Sequence, residues 1–413
     1  MRSFINSVIY FIITSEPPRQ KHVFTRNERR NFKRCRDTRQ RLYFYRMTIT
    51  TRRLIFWGLV IIFFTITPLI IAYGLGYSFD WQKKTFIETG SFYFASSPTS
   101  GTIYINNKAS GKTNKYIKRL LPREYEIVIK KDGYQPWEKR LKIESGIVTE
   151  ARNILLVPQN PKIEIVQKDV AQNFSLSAFT LTKTEKQKIE LASTTANTFF
   201  KNSPYQLVND DIFYLKITDY ILYKTDLGKI KKQQTSLEPL PVDSYKISVS
   251  PDEKSIAALG KTGRLFLLNA GQRIFEEIAA SNIKDVQFSP DNKKLFYYSE
   301  TELVVLYLDK ILIQPYKEKG QKETVTRFSE KINSAIWYPE DNEHIIFVVG
   351  DTVKLIELDD RGQRNIYDLV KMQKFAKGTW ENPQTIYDAK KERLYFINNN
   401  TLYSLQIKTG QLW

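Results

Sequence analysis

Three textures of hydrophobic and polar positions follow one another along the chain. The first is an unbroken apolar run, LIFWGLVIIFFTITPLIIAYGLGY, Leu54 to Tyr77, without a charged residue. A run of that length predicts a helix able to cross a hydrocarbon core, with Pro68 as a kink that membrane helices tolerate. Arg52 and Arg53 precede it, and Trp57, Tyr73, Tyr77 and Trp81 stand near its two ends, where interfacial aromatics belong. The second texture, over residues 91–157, is alternation. Phe92/Phe94 and Ile103/Ile105 alternate with smaller or more polar residues, and Tyr125, Ile127 and Ile129 oppose Glu126, Val128 and Lys130. Asp132-Gly133 supplies a turn, because glycine accepts the positive φ that tight turns need. The third texture, from Pro161 onwards, is repetition.

SVSPDEKSIAALGKTGRLFLLN (248–269) matches QFSPDNKKLFYYSETELVVLYL (287–308) and IWYPEDNEHIIFVVGDTVKLIEL (336–358). TIYDAKKERLYFINNNTLYSLQI (385–407) is a weaker copy, and QLVNDDIFYLKITDYILYKTDL (206–227) an earlier one. Each reads as strand, polar turn, apolar strand, polar turn, amphipathic strand. Pro251 to Pro290 is 39 residues and Pro290 to Pro339 is 49, periods that indicate propeller blades. One four-stranded blade cannot cover both its faces, whereas a ring buries each sheet against its neighbours. Residues 161–413 therefore predict a β-propeller of about six blades, the first over 161–200 being poorly defined. The fold class expected for the whole chain is mainly β. Its parts are a basic tail (1–53), a transmembrane helix (54–77), a linker (78–90), a small β-domain (91–157) and the propeller.

Ser97-Pro98, Gly101, Ile103/Ile105, Asn106-Asn107-Lys108, Gly111-Lys112-Thr113, Leu121-Pro122, Tyr125-Ile127 and Gly133-Tyr134 follow one another in an order that resembles a PEGA domain. That resemblance implies a small β-sandwich-like module of bacterial and archaeal surface proteins, and it carries no catalytic residues. Thr99-Ser100-Gly101-Thr102 stands where the naming tetrapeptide would be, Asn114 replaces the usual proline, and Arg123-Glu124 replaces the usual glycine. The flanking LGYSFDWQKKTFIETGSFYFASSP and EARNILLVP are similar to membrane-anchored PEGA proteins of small-genome candidate-phylum bacteria. The repeats resemble the WD-type repeats of TolB-like propellers, with Glu253 and Asn292 in place of the glycine usual after Ser-Pro-Asp.

Composition changes this picture little: 42% hydrophobic and 13% aromatic residues over 413 positions describe a globular chain. Charge changes it more. The formal charge is +19, and about half of it lies in residues 1–46, where twelve Lys/Arg face Glu16, Glu28 and Asp37. A basic flank stays cytoplasmic, which directs the residues beyond about 80 outwards, although Lys83 and Lys84 pull against that rule. A cleaved signal peptide, with Ala72-Tyr73-Gly74 as a poor cleavage site, is the competing reading of the apolar run. For residues 1–46 two readings stand side by side: translation starting at Met47, or a topogenic, lipid-facing tail. The arginines there lack an aromatic-interleaved fold, so no nucleic-acid partner is expected.

Candidate chemistry is sparse. Cys35 is the single cysteine, and His22 and His344 stand far apart without a partner pattern, so no metal, cofactor or histidine base is expected. No nucleophile-elbow, phosphate-loop or zinc-protease motif occurs. Asp210-Asp211 and Asp359-Asp360 are adjacent pairs in turns and read as solvated loop charge. Tyr134, Trp137, Trp380 and Trp413 lie in or beside turns and are the candidate partner contacts, with local packing the plainer reading. The expected function is non-catalytic: a single-pass, extracytoplasmic envelope protein that binds cell-wall glycan or a protein partner. The alternatives are an enzyme using propeller-mouth carboxylates on glycans, and a regulatory module of a membrane complex.

Overall fold

The computed structural model describes residues 48–171, 174–199, 203–226, 233–372, 385–398 and 400–407, without the side chains of 178 and 196–199. Residues 1–47, Trp380 and Trp413 lie outside the described residues. Among the described residues, those up to Pro68 and those from Leu69 onwards fall into two compact units.

Helix α1 (Ile49–Gly74) carries the apolar run and buries none of its residues. Its length and composition suffice to cross a membrane. Thr48 caps it, its hydroxyl accepting from the Thr51 amide at 3.4 Å. The helix stops at Gly74, and Gly76 turns the chain with φ +94. Tyr77 therefore begins a strand and does not end the helix. The expected linker 78–90 instead holds a hairpin, β1 (Tyr77–Asp80) and β2 (Thr85–Glu88). The Asp80 carboxylate accepts from the Gln82 amide at 2.9 Å and fixes the turn.

Two sheets follow. One is β6 (Lys115–Leu120), β3 (Gly90–Ser97) and β9 (Val148–Leu155). The other is β5 (Lys108–Lys112), β4 (Thr102–Ile105), β7 (Glu124–Lys130) and β8 (Trp137–Lys142). Alternation sends Phe92, Phe94, Ile103, Ile127 and Ile129 into one core, and all five are fully buried. Each such burial contributes about 1.5–3 kcal/mol. Gly90 is required by close approach: a Cβ there would lie 2.4 Å from the Glu144 carbonyl oxygen.

The repeats fold as five four-stranded antiparallel sheets among the described residues. After the small β-domain the chain gives β10 (Ile163–Gln167). Sheet one is β11–β14 (Tyr205–Val208, Asp211–Leu215, Leu222–Asp226, Gln233–Gln234), and sheet two is β15–β18 (Tyr245–Val249, Ile256–Gly260, Leu265–Asn269, Ile274–Ala279). Sheet three is β19–β22 (Asp285–Phe288, Lys294–Tyr298, Glu302–Tyr307, Lys322–Arg327), and sheet four is β23–β26 (Ile332–Trp337, His344–Val349, Thr352–Glu357, Ile366–Lys371). Sheet five is β27–β29 (Thr385–Asp388, Arg393–Asn398, Thr401–Gln406), with β10 as its fourth strand beside β29. The second strands of sheets two to four are buried at every residue, because each sheet is covered on both faces. Successive sheets share cores from the first to the fifth.

Residues 161–200 do not make a blade. They give β10 to the last sheet and then helices α2 (Leu176–Thr180) and α3 (Lys183–Phe199). A capping box starts α3: the Thr182 amide donates to Glu185 Oε2 at 2.7 Å, and the Glu185 amide returns to the Thr182 hydroxyl at 3.3 Å. Leu176 packs into the core of sheet five and Ala192 into that of sheet one.

The corners between first and second strands answer the question of the missing glycines. Glu253, Asn292 and Asn342 all take positive φ (63°, 62° and 57°), strained for Glu and mild for Asn. Each also ties its sheet to a neighbour. Glu253 meets Lys224 at 2.7 Å and Asn209 at 2.7 Å, Asn292 accepts from the Asp252 amide at 3.3 Å, and the Asn342 carbonyl accepts from Lys294 at 3.1 Å. The corner aspartates do the turn work expected of them: Asp252 and Asp291 accept from the hydroxyls of Ser250 and Ser289 at 2.7 and 2.5 Å.

Candidate functional site

The first strands of sheets two to five, together with α2, surround a cavity of about 1180 Å³. In β15, β19 and β23 alternate residues point into sheet cores, which leaves Lys246, Asp285, Gln287 and Ser334 facing the opening. One polar contact joins each first strand to the next. Gln206 of β11 accepts from the Val249 amide at 2.7 Å, and Lys246 meets Asp285 at 2.6 Å. Gln287 then donates to the Ala335 carbonyl at 3.2 Å, and the hydroxyls of Ser334 and Thr385 lie 3.1 Å apart. This series holds the five inner strands side by side and spends most inward polar groups on the frame.

What remains for a ligand is a rim. Lys261 and Lys284 stand there, with Ser244 and the mutually bonded hydroxyls of Ser175 and Ser177, 2.9 Å apart, beside them. Lys284 also reaches Glu300 at 3.1 Å. Tyr245 borders the cavity with its hydroxyl donating to the Pro241 carbonyl at 2.8 Å, and burial pushes its pKa up to about 12, so it stays a neutral donor. Such a site offers hydrogen bonds and positive charge. Among the described residues no group of three or more His, Cys, Asp or Glu side chains converges as a metal site.

The second feature is the junction between the small β-domain and sheet four. Trp137, the first residue of β8, is 1% exposed, and its indole donates to Glu357 Oε2 at 2.8 Å. Lys139, two residues on, meets Glu357 Oε1 at 2.7 Å and the carbonyls of Asp359 and Gln363 at 2.6 and 2.9 Å. Asn365 adds its amide to Glu357 Oε1 at 2.8 Å. On the other side Gln314 spans the edge of β9, accepting from the Glu150 amide at 3.0 Å and donating to the Val148 carbonyl at 3.1 Å. Leu155 and Val157 run on into the core of sheets four and five.

These contacts reassign several sequence candidates. Trp137 is buried at the junction, its indole spent on Glu357. Tyr134 packs half-buried against the core of the small domain, with its backbone bridging Pro158. Both carboxylate pairs are held by cations: Asp210 by Lys188, Asp211 by Lys224, Asp359 by Arg361 and Asp360 by Lys317. The cavity residues were not singled out from the sequence. The available signal was a polar residue at an inward position of each repeat's opening strand, as in YKISVSPD and DVQFSPD.

Residues 89–158 match the model of the PEGA domain. No curated protein matches the chain. Solved structures similar to it include the β-propeller domain of Cps50 (Swd1) from Myceliophteria thermophila, at 10% identity and TM-score 0.32, over 48% of this chain and 66% of that one. A chain of the mitotic checkpoint complex aligns at 10% identity and TM-score 0.35, over 73% and 78%. A functionally unknown protein from Desulfotomaculum acetoxidans DSM 771 aligns at 11% and 0.33, over 48% and 63%. The chain thus spans about two thirds of the first of these structures. The five sheets themselves, not these likenesses, carry the propeller-like description.

Proposed function

We propose that this chain is a membrane-anchored, extracytoplasmic binding or scaffold protein of the cell envelope, non-catalytic, which seats cell-wall glycan at the rim of the inner-strand cavity. The observation that carries this reading is the cavity: a polar opening framed by four sheets and α2, with Lys261 and Lys284 exposed on its rim and serine hydroxyls beside them. Sugar polymers are read by such hydrogen-bonding groups, and anionic ones by such cations. The PEGA match and the apolar α1 support an anchored surface protein. On this reading the two-sheet module is a β-sandwich joined stiffly to a five-bladed propeller, with α2 and α3 between its last and first blades. Two measurements test it. A membrane-impermeant thiol reagent on intact cells should label Lys319→Cys in a Cys35→Ser background. The detergent-solubilised full chain should retain cell-wall fragments without shortening them, and fragment cleavage would favour the enzyme alternative.

A further inference from the structure

We infer that the hairpin β1–β2 and the edge strand β6 form a lipid-contact face that lies on anionic headgroups of the bilayer that α1 crosses. The inference rests on the anchored reading above and adds a surface to it. Only Leu75 and Gly76 separate the end of α1 from β1, three Cα–Cα steps or at most about 11 Å when extended, and their amides turn back to the Ile71 and Tyr73 carbonyls, which shortens the link. The headgroup layer is roughly 5–8 Å deep on each side of the hydrocarbon, so the hairpin starts inside or against it.

Its chemistry suits that depth. The register pairs Phe79 with Phe86 and Tyr77 with Glu88, which puts three aromatic rings on one face of the hairpin. Phe79 lies edge-on to Phe86 at 5.2 Å and to Trp81 at 4.9 Å. Yet Trp81 is 84% exposed and Phe86 54%, so the cluster covers little of itself. Amphipathic rings of this kind favour the membrane–water interface. Lys83 and Lys84 project from the turn, while Asp80, its carboxylate, is turned inward as the cap.

A second element joins this face. The Arg119 guanidinium of β6 stacks over the Tyr73 ring in the last turn of α1, 3.5 Å from its centre. That contact sets the outer edge of β6, with exposed Lys115, Tyr116 and Lys118, beside the helix end. Among the described residues Lys83, Lys84, Lys115 and Lys118 enter no ion pair, whereas the buried lysines 139, 294 and 317 all do. Unpaired cations around exposed aromatics complement a surface of lipid phosphates. The two lysines that run against the charge rule on the far side of α1 gain a role here.

The test uses the full chain with Cys35→Ser in nanodiscs of phosphatidylcholine and phosphatidylglycerol, with one nitroxide label per sample. Labels go at Ile61→Cys in α1, Gln82→Cys in the hairpin turn and Lys319→Cys as an aqueous reference. Collisional relaxation by oxygen and by a water-soluble nickel chelate reads the depth of each. The inference expects Ile61 deep, Gln82 at headgroup depth and Lys319 in water. Adding Trp81→Ala, or removing phosphatidylglycerol, should move the Gln82 label towards water. A Gln82 label as nickel-accessible as Lys319, with Ile61 still deep, would overturn the inference and leave the anchor standing. Shielding of Gln82 from both relaxants would mean protein cover and would also overturn it. An aqueous Ile61 would remove the anchored reading itself.

Discussion

Replacing Glu357 by Gln puts the junction between the two β-domains to a quantitative test. The Lys139 ammonium is 0% exposed and the Glu357 carboxylate 4%, so neither falls back on water when its partner loses charge. Removing one member of such a pair costs about 3–5 kcal/mol in general. Here the carbonyls of Asp359 and Gln363 still hold the ammonium, which puts Glu357→Gln near the lower end, about 3 kcal/mol. Lys139→Met is milder, about 1–2 kcal/mol, because Glu357 keeps N–H donors from Trp137 and Asn365. With both changes the charge imbalance disappears, and the double variant should cost little more than Lys139→Met alone. The coupling in that cycle should therefore reach about 2 kcal/mol. Urea unfolding of the full chain in detergent, followed by tryptophan fluorescence, measures it. A coupling under about 0.5 kcal/mol, the value of an exposed pair, would refute the burial of the Lys139–Glu357 pair at this junction.

Three further outcomes follow from particular residues. Burial opposes charge on His344, but Asp341 at 2.7 Å, with Glu357 and Glu343 nearby, outweighs it and holds the ring above its ordinary value. Its contribution is whole below about pH 6.5 and is lost as pH rises through the raised folded value. Unfolding midpoints measured from mildly acidic to alkaline pH should fall in the wild type relative to His344→Gln, and parallel curves would contradict this. Gly90→Ala should destabilise the small domain by about 1–3 kcal/mol, because the new methyl meets backbone oxygens that cannot step aside; a neutral result in chemical denaturation would count against that packing. Glu253→Ala keeps a strained φ and loses the Lys224 and Asn209 contacts, whereas Glu253→Gly loses the contacts and relieves the strain. Alanine should therefore be the worse by about 1 kcal/mol in the same assay, and equal stabilities would dismiss the strain.

The strands of this protein are legible because their signals are local. Tyr125, Ile127 and Ile129 alternate within one strand, and the Ser-Pro-Asp corners mark where first strands end. The helix Lys183–Phe199 carries a local signal too, the Thr182–Glu185 box, but no repeat, so a blade over 161–200 is what the period alone suggests. The junction is different in kind. Trp137 and Glu357 stand 220 residues apart, and no period links them. Local packing, the plainer reading of Trp137, does place it in the small domain's core, but its bond to Glu357 needs the propeller-side sheet. The cavity was hidden for a related reason: Lys246, Asp285, Gln287 and Ser334 are ordinary polar positions within their own strands, and only the side-by-side packing of sheets gathers them.

The most direct test of the binding proposal is equilibrium dialysis of size-defined anionic cell-wall fragments against the detergent-solubilised full chain, with the fragments weighed by mass spectrometry afterwards. Wild type is compared with Lys261→Glu/Lys284→Glu, two exposed rim positions whose reversal leaves the inner-strand frame intact. The account predicts saturable retention by the wild type, its loss in the double variant, and fragments recovered at unchanged mass. Equal retention by both proteins, or shortened fragments, would contradict it.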